Sequence, residues 1–171
     1  MLIRLKTGFG LDRDYWKVLT KKNKNMVNSE IKDSVKYEIF RLVGPEYVIH
    51  FERGDWDDGR DDWGGRVLLM ERGGLATGRV SYYIDEPDRV YLDGLSVDIR
   101  VRGKGLGAKV LELQEQIGRV LGVQYLCMCV RKESWMYNWY KKKGYVDYHE
   151  DDEVAYMWVR KEINKKNNEK D

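Results

Sequence analysis

Apolar residues between positions 106 and 120 recur at the spacing of one helix face. They are separated by four, three, four and three residues: Leu106, Val110, Leu113, Ile117 and Val120. This spacing follows the 3.6-residue period of an amphipathic helix. Gly122 stands just past the last apolar position, as is typical of a helix C-terminus. The pattern therefore predicts a helix over residues 106–121.

The remaining patterns predict a chain of mixed secondary structure. Short alternating or continuous apolar segments predict strands at 2–6, 47–52, 66–71, 76–84, 90–98, 124–130, 145–149 and 154–161. Capping residues and apolar stripes predict helices at about 12–20, from 28 or 29 to 43, and at 133–143. Two early helices, a run of antiparallel strands and a closing β-α-β-α-β-β order are typical of an α+β or mixed α/β fold.

Length and charge narrow the class of protein. A chain of 171 residues predicts a single domain, which we place at residues 1–160, followed by a polar tail at 161–171. The formal net charge of +2 gives no reason to expect a nucleic-acid partner. The longest apolar run, residues 125–130, is far shorter than the ~20 residues of a membrane helix. We therefore expect no membrane partner and a cytoplasmic location.

The two cysteines, Cys127 and Cys129, lie two residues apart in a predicted strand. Side chains at that spacing share a strand face and do not easily form a disulfide. No pair of histidines lies nearby to complete a metal site. We expect buried, unpaired thiols in a reducing compartment and no bound metal.

A glycine-rich turn joins the strand at 90–98 to the helix at 106–121. A helix N-terminus offers unpaired N–H groups, and glycines allow its backbone to approach an anion closely. Arg102 and Lys104 add positive charge suited to phosphate. The turn predicts a phosphate or pyrophosphate cradle, and a plain strand-to-helix turn is the alternative. A Rossmann motif is disfavoured by its late position and the spacing to Glu133, and no Gly-Lys-Ser/Thr follows for a Walker A loop.

The end of this strand and the turn together resemble motif A of the GCN5-related N-acetyltransferase (GNAT) superfamily. Its pattern Arg/Gln-x-x-Gly-x-Gly/Ala is met by Arg102, Gly105 and Gly107. Val97 occupies the valine position five residues before the arginine, while Ile99 replaces a common proline.

A second match lies at residues 140–145, which resemble the end of motif B, Tyr-x-x-x-Gly-Phe/Tyr. Glu133 replaces the asparagine that often opens that helix, and Trp135 and Met136 replace small residues. The resemblance covers about residues 65–160, and the first 60 residues only by element order. It implies a central mixed, mostly antiparallel sheet flanked by helices, with a bulged strand that splays from its parallel neighbour.

The resemblance also implies acetyl-CoA as co-substrate. Backbone groups of Leu95 and Val97 would pair with pantetheine, and backbone amides of the turn would hold the pyrophosphate. The turn residues concerned are Arg102, Gly103, Lys104, Gly105, Leu106, Gly107 and Ala108. An amine would then attack the thioester directly.

Direct attack needs a proton acceptor and a proton donor. Tyr140 occupies the family position of the donor to the leaving thiolate, with a core aromatic as the alternative. Asp93 is the candidate base, because it lies on the Val97 strand and shares a predicted face with Tyr91. A structural carboxylate is the alternative for Asp93, and Glu71 is a weaker second candidate.

Few residues in the sequence indicate which amine accepts the acetyl group. Residues 55–63 hold five aspartates, with Trp56 and Trp63, and could attract a cationic amine, although a solvated charge run explains them as well. Tyr91 is a third candidate substrate contact. The acceptor could be a small molecule or a peptide, and a homodimer stays open. A non-catalytic acyl-CoA-binding module and a nucleotide-binding domain are the alternative functions.

Overall fold

The computed structural model describes residues 31–53, 63–83, 86–151 and 155–164. Its helices are α1 (Asp33–Val43), α2 (Leu106–Leu121) and α3 (Trp135–Lys142), with a short 3₁₀ helix at Ile99–Val101. Its strands are β1 (Tyr47–Arg53), β2 (Trp63–Glu71), β3 (Ala76–Tyr83), β4 (Arg89–Val97), β5 (Tyr125–Arg131), β6 (Val146–Asp151) and β7 (Tyr156–Glu162). The fold is mixed α/β, as the sequence predicts.

The predicted elements reappear within the described ranges, with shifted ends. The bounds of α2 match the prediction, because both ends are set locally by glycines with positive φ: Gly105, φ 86°, and Gly122, φ 77°. The strand predicted at 2–6, the helix predicted at 12–20 and the predicted start of the second helix lie outside the described residues. Strand β7 continues through Glu162, so the boundary predicted after residue 160 falls inside a strand.

The seven strands form one sheet in the order β1-β2-β3-β4-β5-β7-β6. Every neighbouring pair is antiparallel except β4 and β5. That parallel pair is short: it begins with Arg89 beside Tyr125 and ends with Tyr91 beside Cys127. Beyond Tyr91 the two strands are no longer paired, which is the splayed geometry that the resemblance implies.

A bulge lies in β4 just past the last parallel pair. Along β3, Arg79 pairs with Gly94 and Ser81 pairs with Tyr91, so three steps of β4 oppose two steps of β3. An extra residue in one strand bends that strand and increases its twist. The bulge therefore turns the end of β4 away from β5 where the splay opens.

Both α1 and α2 pack on one face of the sheet. Gly78 of β3 leaves no room for a side chain, since a Cβ there would lie 2.6 Å from Val110 of α2. Phe40 of α1 meets Phe51 of β1 edge to face, with ring centroids 5.5 Å apart. The core on this face consists mainly of aliphatic residues that are at most 3% exposed, among them Ile39, Val67, Leu69, Val80, Val90, Val110, Leu111, Leu113, Ile117, Leu126 and Val159.

The opposite side of the sheet, which we call the second face, is polar and aromatic. Leu126 packs beneath Gly118 of α2, so the next residue, Cys127, points to the second face. Its neighbours across the sheet are Tyr91 on β4 and Arg160 on β7. This row of three residues crosses the sheet at the point where the splay begins.

Candidate active site

The turn after β4 is shaped by its own side chains. Asp98 accepts a hydrogen bond from the Arg100 backbone N–H at 2.9 Å and an ion-pair contact from the Arg100 guanidinium at 2.7 Å. Arg100 thereby lowers the pKa of the Asp98 carboxyl. Arg102 donates its Nε–H to the Val97 carbonyl at 3.1 Å. These contacts fold the chain back so that the glycines face the end of β4.

The two glycines inside the turn adopt backbone conformations that other residues avoid. Gly103 has φ 78° and Gly105, the N-cap of α2, has φ 86°. A Cβ at either position would meet nothing within 4 Å, so their backbone conformation rather than crowding favours glycine. The first-turn amides of α2 thus lie beside open space, where a helix N-terminus attracts an anion.

A cleft of about 350 Å³ lies between the end of β4, the glycine turn and α3. It is lined by Leu95, Ser96, Val97, Val101, Arg102, Gly103, Gly105, Leu106, Gly107, Ala108, Trp135, Met136 and Trp139. Eight of the nine residues predicted to bind the coenzyme are therefore brought together, and Lys104 is exposed outside the lining. Their role in binding stays a prediction.

Sequence reasoning missed the wall that α3 contributes. Trp135, Met136 and Trp139 fall on one side of this helix and face the cleft. The side chain of Trp135 remains 69% exposed, which is unusual for so large an apolar group. Their one-sided spacing is the signal in the sequence that could have found this wall, whereas the comparison with motif B marks only Trp135 and Met136, as departures from small residues.

Tyr140 lies directly behind this wall. Its ring centroid is 4.9 Å from that of Trp139 and 5.5 Å from that of Tyr145, and the residue is only 5% exposed. Its hydroxyl has no hydrogen-bond partner among the described residues. Burial raises the pKa of Tyr140 to about 12, so the hydroxyl is protonated at neutral pH. This placement fits the core aromatic that the sequence offers as an alternative, and the role of proton donor stays a prediction.

An ionic cluster that binds the Tyr145 hydroxyl supports the packing of Tyr140. Lys161 of β7 contacts both carboxylate oxygens of Glu115 on α2, at 2.9 and 3.0 Å. The Tyr145 hydroxyl donates to the same carboxylate at 3.2 Å. Tyr145 is thereby anchored to two elements, and its ring supports that of Tyr140.

Asp93 lies on the second face and does not line the cleft. Its carboxylate accepts a hydrogen bond from the Ser81 hydroxyl and lies 3.8 Å from Nε of Arg66. Ser81 is also the β3 partner of Tyr91, so Tyr91 and Asp93 share a face as predicted. The side chain of Asp93 is still 31% exposed, so solvent reaches it.

Glu71 does not reach the cleft. It ends β2, and its carboxylate accepts the Leu75 backbone N–H at 3.2 Å in the turn that leads to β3. This hydrogen bond stabilises the turn between β2 and β3. The prediction of Glu71 as second base is therefore not supported by its position.

The second face carries an aromatic cluster at the point of splay. Tyr91 meets Tyr83 and Trp158 edge to face, with centroids 5.3 and 5.7 Å apart. Its hydroxyl donates to Glu86 at 2.6 Å, and burial, followed by Glu86, raises the pKa of Tyr91. Tyr91 thus lies at the splay, where a substrate contact was predicted.

Cys127 lies beside this cluster and is fully buried. Cys129 is exposed, so the expectation of two buried thiols is wrong for this residue. Burial raises the pKa of the Cys127 thiol to about 11, so this thiol is neutral at pH 7. A neutral buried thiol is a poor nucleophile. The position of Cys127 therefore favours direct attack by a substrate over transfer through this thiol.

Two predicted substrate residues cannot be placed in the site. Trp56 and the aspartate-rich stretch 55–62 lie outside the described residues, and Trp63 is described only by its backbone at the start of β2. Across the described ranges, no group of three or more His, Cys, Asp or Glu side chains could hold a metal ion. No helix among the described residues is long and apolar enough to span a membrane.

Comparison with solved structures finds the same fold. A GNAT-family protein from Desulfovibrio desulfuricans is 16% identical, with 60% of this chain and 71% of that chain covered and a TM-score of 0.51. Ard1 from Thermoplasma volcanium is 16% identical over 58% of this chain and 71% of its own, with a TM-score of 0.50. A GNAT family acetyltransferase from Elizabethkingia anophelis with acetyl-CoA bound is 9% identical, covering 70% of this chain and 99% of its own at a TM-score of 0.50.

At the level of sequence, no curated protein matches the chain significantly. The family model of the acetyltransferase (GNAT) family, however, matches residues 36–145. The match runs from within α1 to the end of motif B, so it covers β1 to β5 but not β6 and β7, and it includes the glycine turn and the cleft. The chain therefore belongs to the acetyltransferase (GNAT) family.

Proposed function

We propose that this protein is an acetyl-CoA-dependent N-acetyltransferase that transfers the acetyl group to a primary amine of a small molecule or a peptide. The observation that carries the proposal is the cleft that joins the splayed end of β4 to the glycine turn. It offers backbone groups along a strand and a helix N-terminus at its end. Family membership supports acetyl transfer, and the structural relative with acetyl-CoA bound supports the co-substrate.

The pantetheine arm has unpaired backbone to bind. Because β4 and β5 stop pairing at Tyr91, the β4 groups that would face β5 beyond it have no strand partner among the described residues. Leu95 and Val97 lie on this stretch and line the cleft. An amide-bearing chain can pair there as an added strand would.

The pyrophosphate would lie at the N-terminus of α2. The amides of the turn surround open space, and Arg102 supplies a positive charge at the cleft wall. The indole of Trp135 is exposed on the opposite wall and can cover the coenzyme from α3. The backbone N–H groups and the dipole of a helix N-terminus bind phosphate directly, so this arrangement does not require a cation.

Transfer then proceeds by attack of a neutral amine on the thioester carbon. The C–N bond forms, the C–S bond breaks, the proton of the attacking nitrogen passes to a base, and the departing thiolate takes up a proton from solvent water. A free thiol of the cysteine type has a pKa of about 8.5. With a pKa of about 12, Tyr140 is too weak an acid to transfer its proton fully to such a thiolate. Its contribution is a hydrogen bond to the charge that develops on sulfur.

The base is less closely defined. Asp93 is the carboxylate of β4 nearest the splay, and it is partly exposed. Its contacts with Ser81 and Arg66 orient the carboxylate and also use part of its hydrogen-bonding capacity. We propose that it accepts the amine proton through an ordered water.

Acetyl transfer is tested by following free thiol release from acetyl-CoA with a panel of amines, peptides, polyamines and aminoglycosides. We expect thiol release that depends on both substrates. Parallel binding titrations with acetyl-CoA, NAD and ATP assign the glycine turn to one ligand. Binding of NAD in place of acetyl-CoA would refute the proposal, and coenzyme binding without any turnover would leave a non-catalytic acyl-CoA-binding module.

The glycine turn is tested by Gly105→Glu, with Gly122→Glu as a matched control. Both glycines cap α2 with positive φ and both have open space around the missing Cβ, so the backbone strain is the same kind. Only the first change puts a carboxylate at the proposed pyrophosphate site. We expect Gly105→Glu to abolish acetyl-CoA binding and Gly122→Glu to retain it, measured by calorimetry. Equal affinity in the two variants would show that the cradle lies elsewhere.

A further inference from the structure

One arginine on the second face is held between aromatic rings without a carboxylate partner. The guanidinium carbon of Arg160 lies 4.7 Å from the ring centroid of Tyr125 and 5.3 Å from that of Tyr148. Within the described ranges, no Asp or Glu oxygen lies within 4.0 Å of this guanidinium. The side chain is half-buried rather than fully solvated.

Two other partly buried arginines on the same face, Arg66 and Arg89, are neutralised. Arg66 lies 3.9 Å from Glu52 and 3.8 Å from Asp93, and Arg89 lies 2.9 Å from Asp88. A half-buried charge without a counter-ion is costly unless a ligand supplies one. Of these three partly buried arginines, Arg160 is the one without a carboxylate partner among the described residues.

The position of Arg160 places it beside the site of acetyl transfer. Its β5 partner is Cys127, and Cys127 also pairs with Tyr91 in the last parallel pair before the splay. Neighbouring strands are about 5 Å apart, β7 is one strand away from β5, and the gap between β4 and β5 begins half a spacing further. Across the sheet, the backbone of Arg160 therefore lies roughly 7 Å from this gap. A compact molecule can span that distance.

The surrounding rings hold the guanidinium in place. Tyr148 meets Trp158 with centroids 6.5 Å apart, and Trp158 meets Tyr91. A guanidinium stacked on rings keeps its N–H fork available at its edge, and that fork matches a carboxylate in a bidentate contact. Ordering by the rings reduces the entropy that binding would otherwise cost.

We propose that Arg160 binds a carboxylate of the acceptor, so that the substrates are amines carrying a carboxylate a few bonds from the nitrogen, such as amino acids. This inference rests on the proposed function, since it assigns the acceptor of the same transfer. The amine would lie at the splay near Tyr91, with the carboxylate on Arg160.

The test compares each amino acid with its amide and with the decarboxylated amine, using thiol release from acetyl-CoA to obtain kcat/KM. We expect the amino acids to be preferred by roughly 10- to 100-fold, the range for a hydrogen-bonded ion contact. Arg160→Met keeps an aliphatic stem over the two rings and removes the charge. We expect it to lower kcat/KM for amino acids by the same factor and to leave the decarboxylated amines unchanged.

Arg131→Met is the matched control, because Arg131 also lies over a tyrosine ring, 5.7 Å from the centroid of Tyr156, but at the other end of β5. We expect Arg131→Met to leave the preference for amino acids over decarboxylated amines unchanged. Arg160→Lys should keep part of the preference, since it retains charge without the planar fork. Melting temperatures verify that each variant is folded.

The outcomes separate this inference from the proposed function. Equal rates for amino acids and decarboxylated amines, or a preference that survives Arg160→Met, would overturn the role of Arg160 and leave N-acetyl transfer intact. Absence of turnover with every amine would overturn both. Loss of the preference in Arg160→Met alone would support the assignment.

Discussion

The aromatic residues of α3 divide into those that face the cleft and one that is buried behind them. Trp135 and Trp139 line the cleft, whereas Tyr140 packs between Trp139 and Tyr145. Burial of a phenol usually comes with a partner for its hydroxyl. The Tyr140 hydroxyl has none among the described residues, so it is available to a ligand sulfur.

Replacing Tyr140 by Phe should lower kcat for acetyl transfer by roughly 10- to 100-fold. The lost hydrogen bond to a charged sulfur is worth about 1.5–3 kcal/mol. The Kd of acetyl-CoA should change little, because the hydroxyl acts where charge develops. Steady-state kinetics and calorimetry measure the two quantities.

Tyr137→Phe is the control on the same helix, since the Tyr137 hydroxyl donates to Asp147 at the surface. An unchanged kcat in Tyr140→Phe would assign Tyr140 to the core alone. With a pKa of about 12, Tyr140 stays protonated up to about pH 11, so its ionisation should not limit kcat between pH 7 and 10.

At the scale of elements, the site depends on how α2 is attached to the bulged strand. The side chain of Gln114 is fully buried, and its amide donates to the Arg79 carbonyl at 2.9 Å and the Gly94 carbonyl at 3.3 Å. Arg79 and Gly94 form the last regular pair before the register shifts. Gln114 thus satisfies backbone groups beside the bulge and ties α2 to β3 and β4.

Gln114→Leu should destabilise the protein by about 1–3 kcal/mol, because two carbonyls lose a buried donor. The unpartnered Oε1 of Gln114 is removed by the same change, which offsets part of the cost. Acetyl-CoA affinity should fall as well, since the bulge sets the splay. Urea unfolding and calorimetry provide the two readouts.

Gln116→Leu serves as the comparison, because Gln116 lies on the same helix and its amide donates a hydrogen bond to Glu112 at the surface, at 3.3 Å. We expect less than about 0.5 kcal/mol there. Equal losses in both variants would mean that helix propensity, and not the bulge, accounts for the effect.

At the scale of the molecule, several buried or half-buried tyrosines make the free energy of unfolding depend on pH in the alkaline range. Burial raises the pKa of Tyr140 and of Tyr148 to about 12, and it raises the pKa of Tyr91 and Tyr145 as well. Above pH 10 the unfolded chain releases these protons while the folded chain retains them. The folded state is therefore favoured fully below pH 10 and loses this advantage as the pH rises toward 12.

The urea midpoint should fall slightly between pH 8 and 10, because the Cys127 thiol ionises in the unfolded chain before it does in the folded one, and it should fall steadily above pH 10. A rise of two units in one pKa corresponds to about 2–3 kcal/mol at the end of the titration. Tyr140→Phe should show a shallower fall, because one of the linked groups is gone. A midpoint that stays level to pH 11 would contradict this linkage.

The sequence alone determined the features that depend on neighbouring residues. The helix period and its two glycine caps set the bounds of α2, and the spacing of Arg102, Gly105 and Gly107 identified the turn. The resemblance to the family predicts the bulge and the splay of β4. These features were predictable because the forces that set them act within a few residues.

Only the tertiary structure decided which distant residues meet. The position of β7 between β5 and β6 brings Arg160 beside Cys127. The irregular pairing of β4 with β3 places Asp93 against Ser81. Likewise, α3 packs its tryptophans against the turn, a contact that motif B does not reveal. Strand order and packing depend on burial shared across the whole sheet, so local sequence patterns did not specify them.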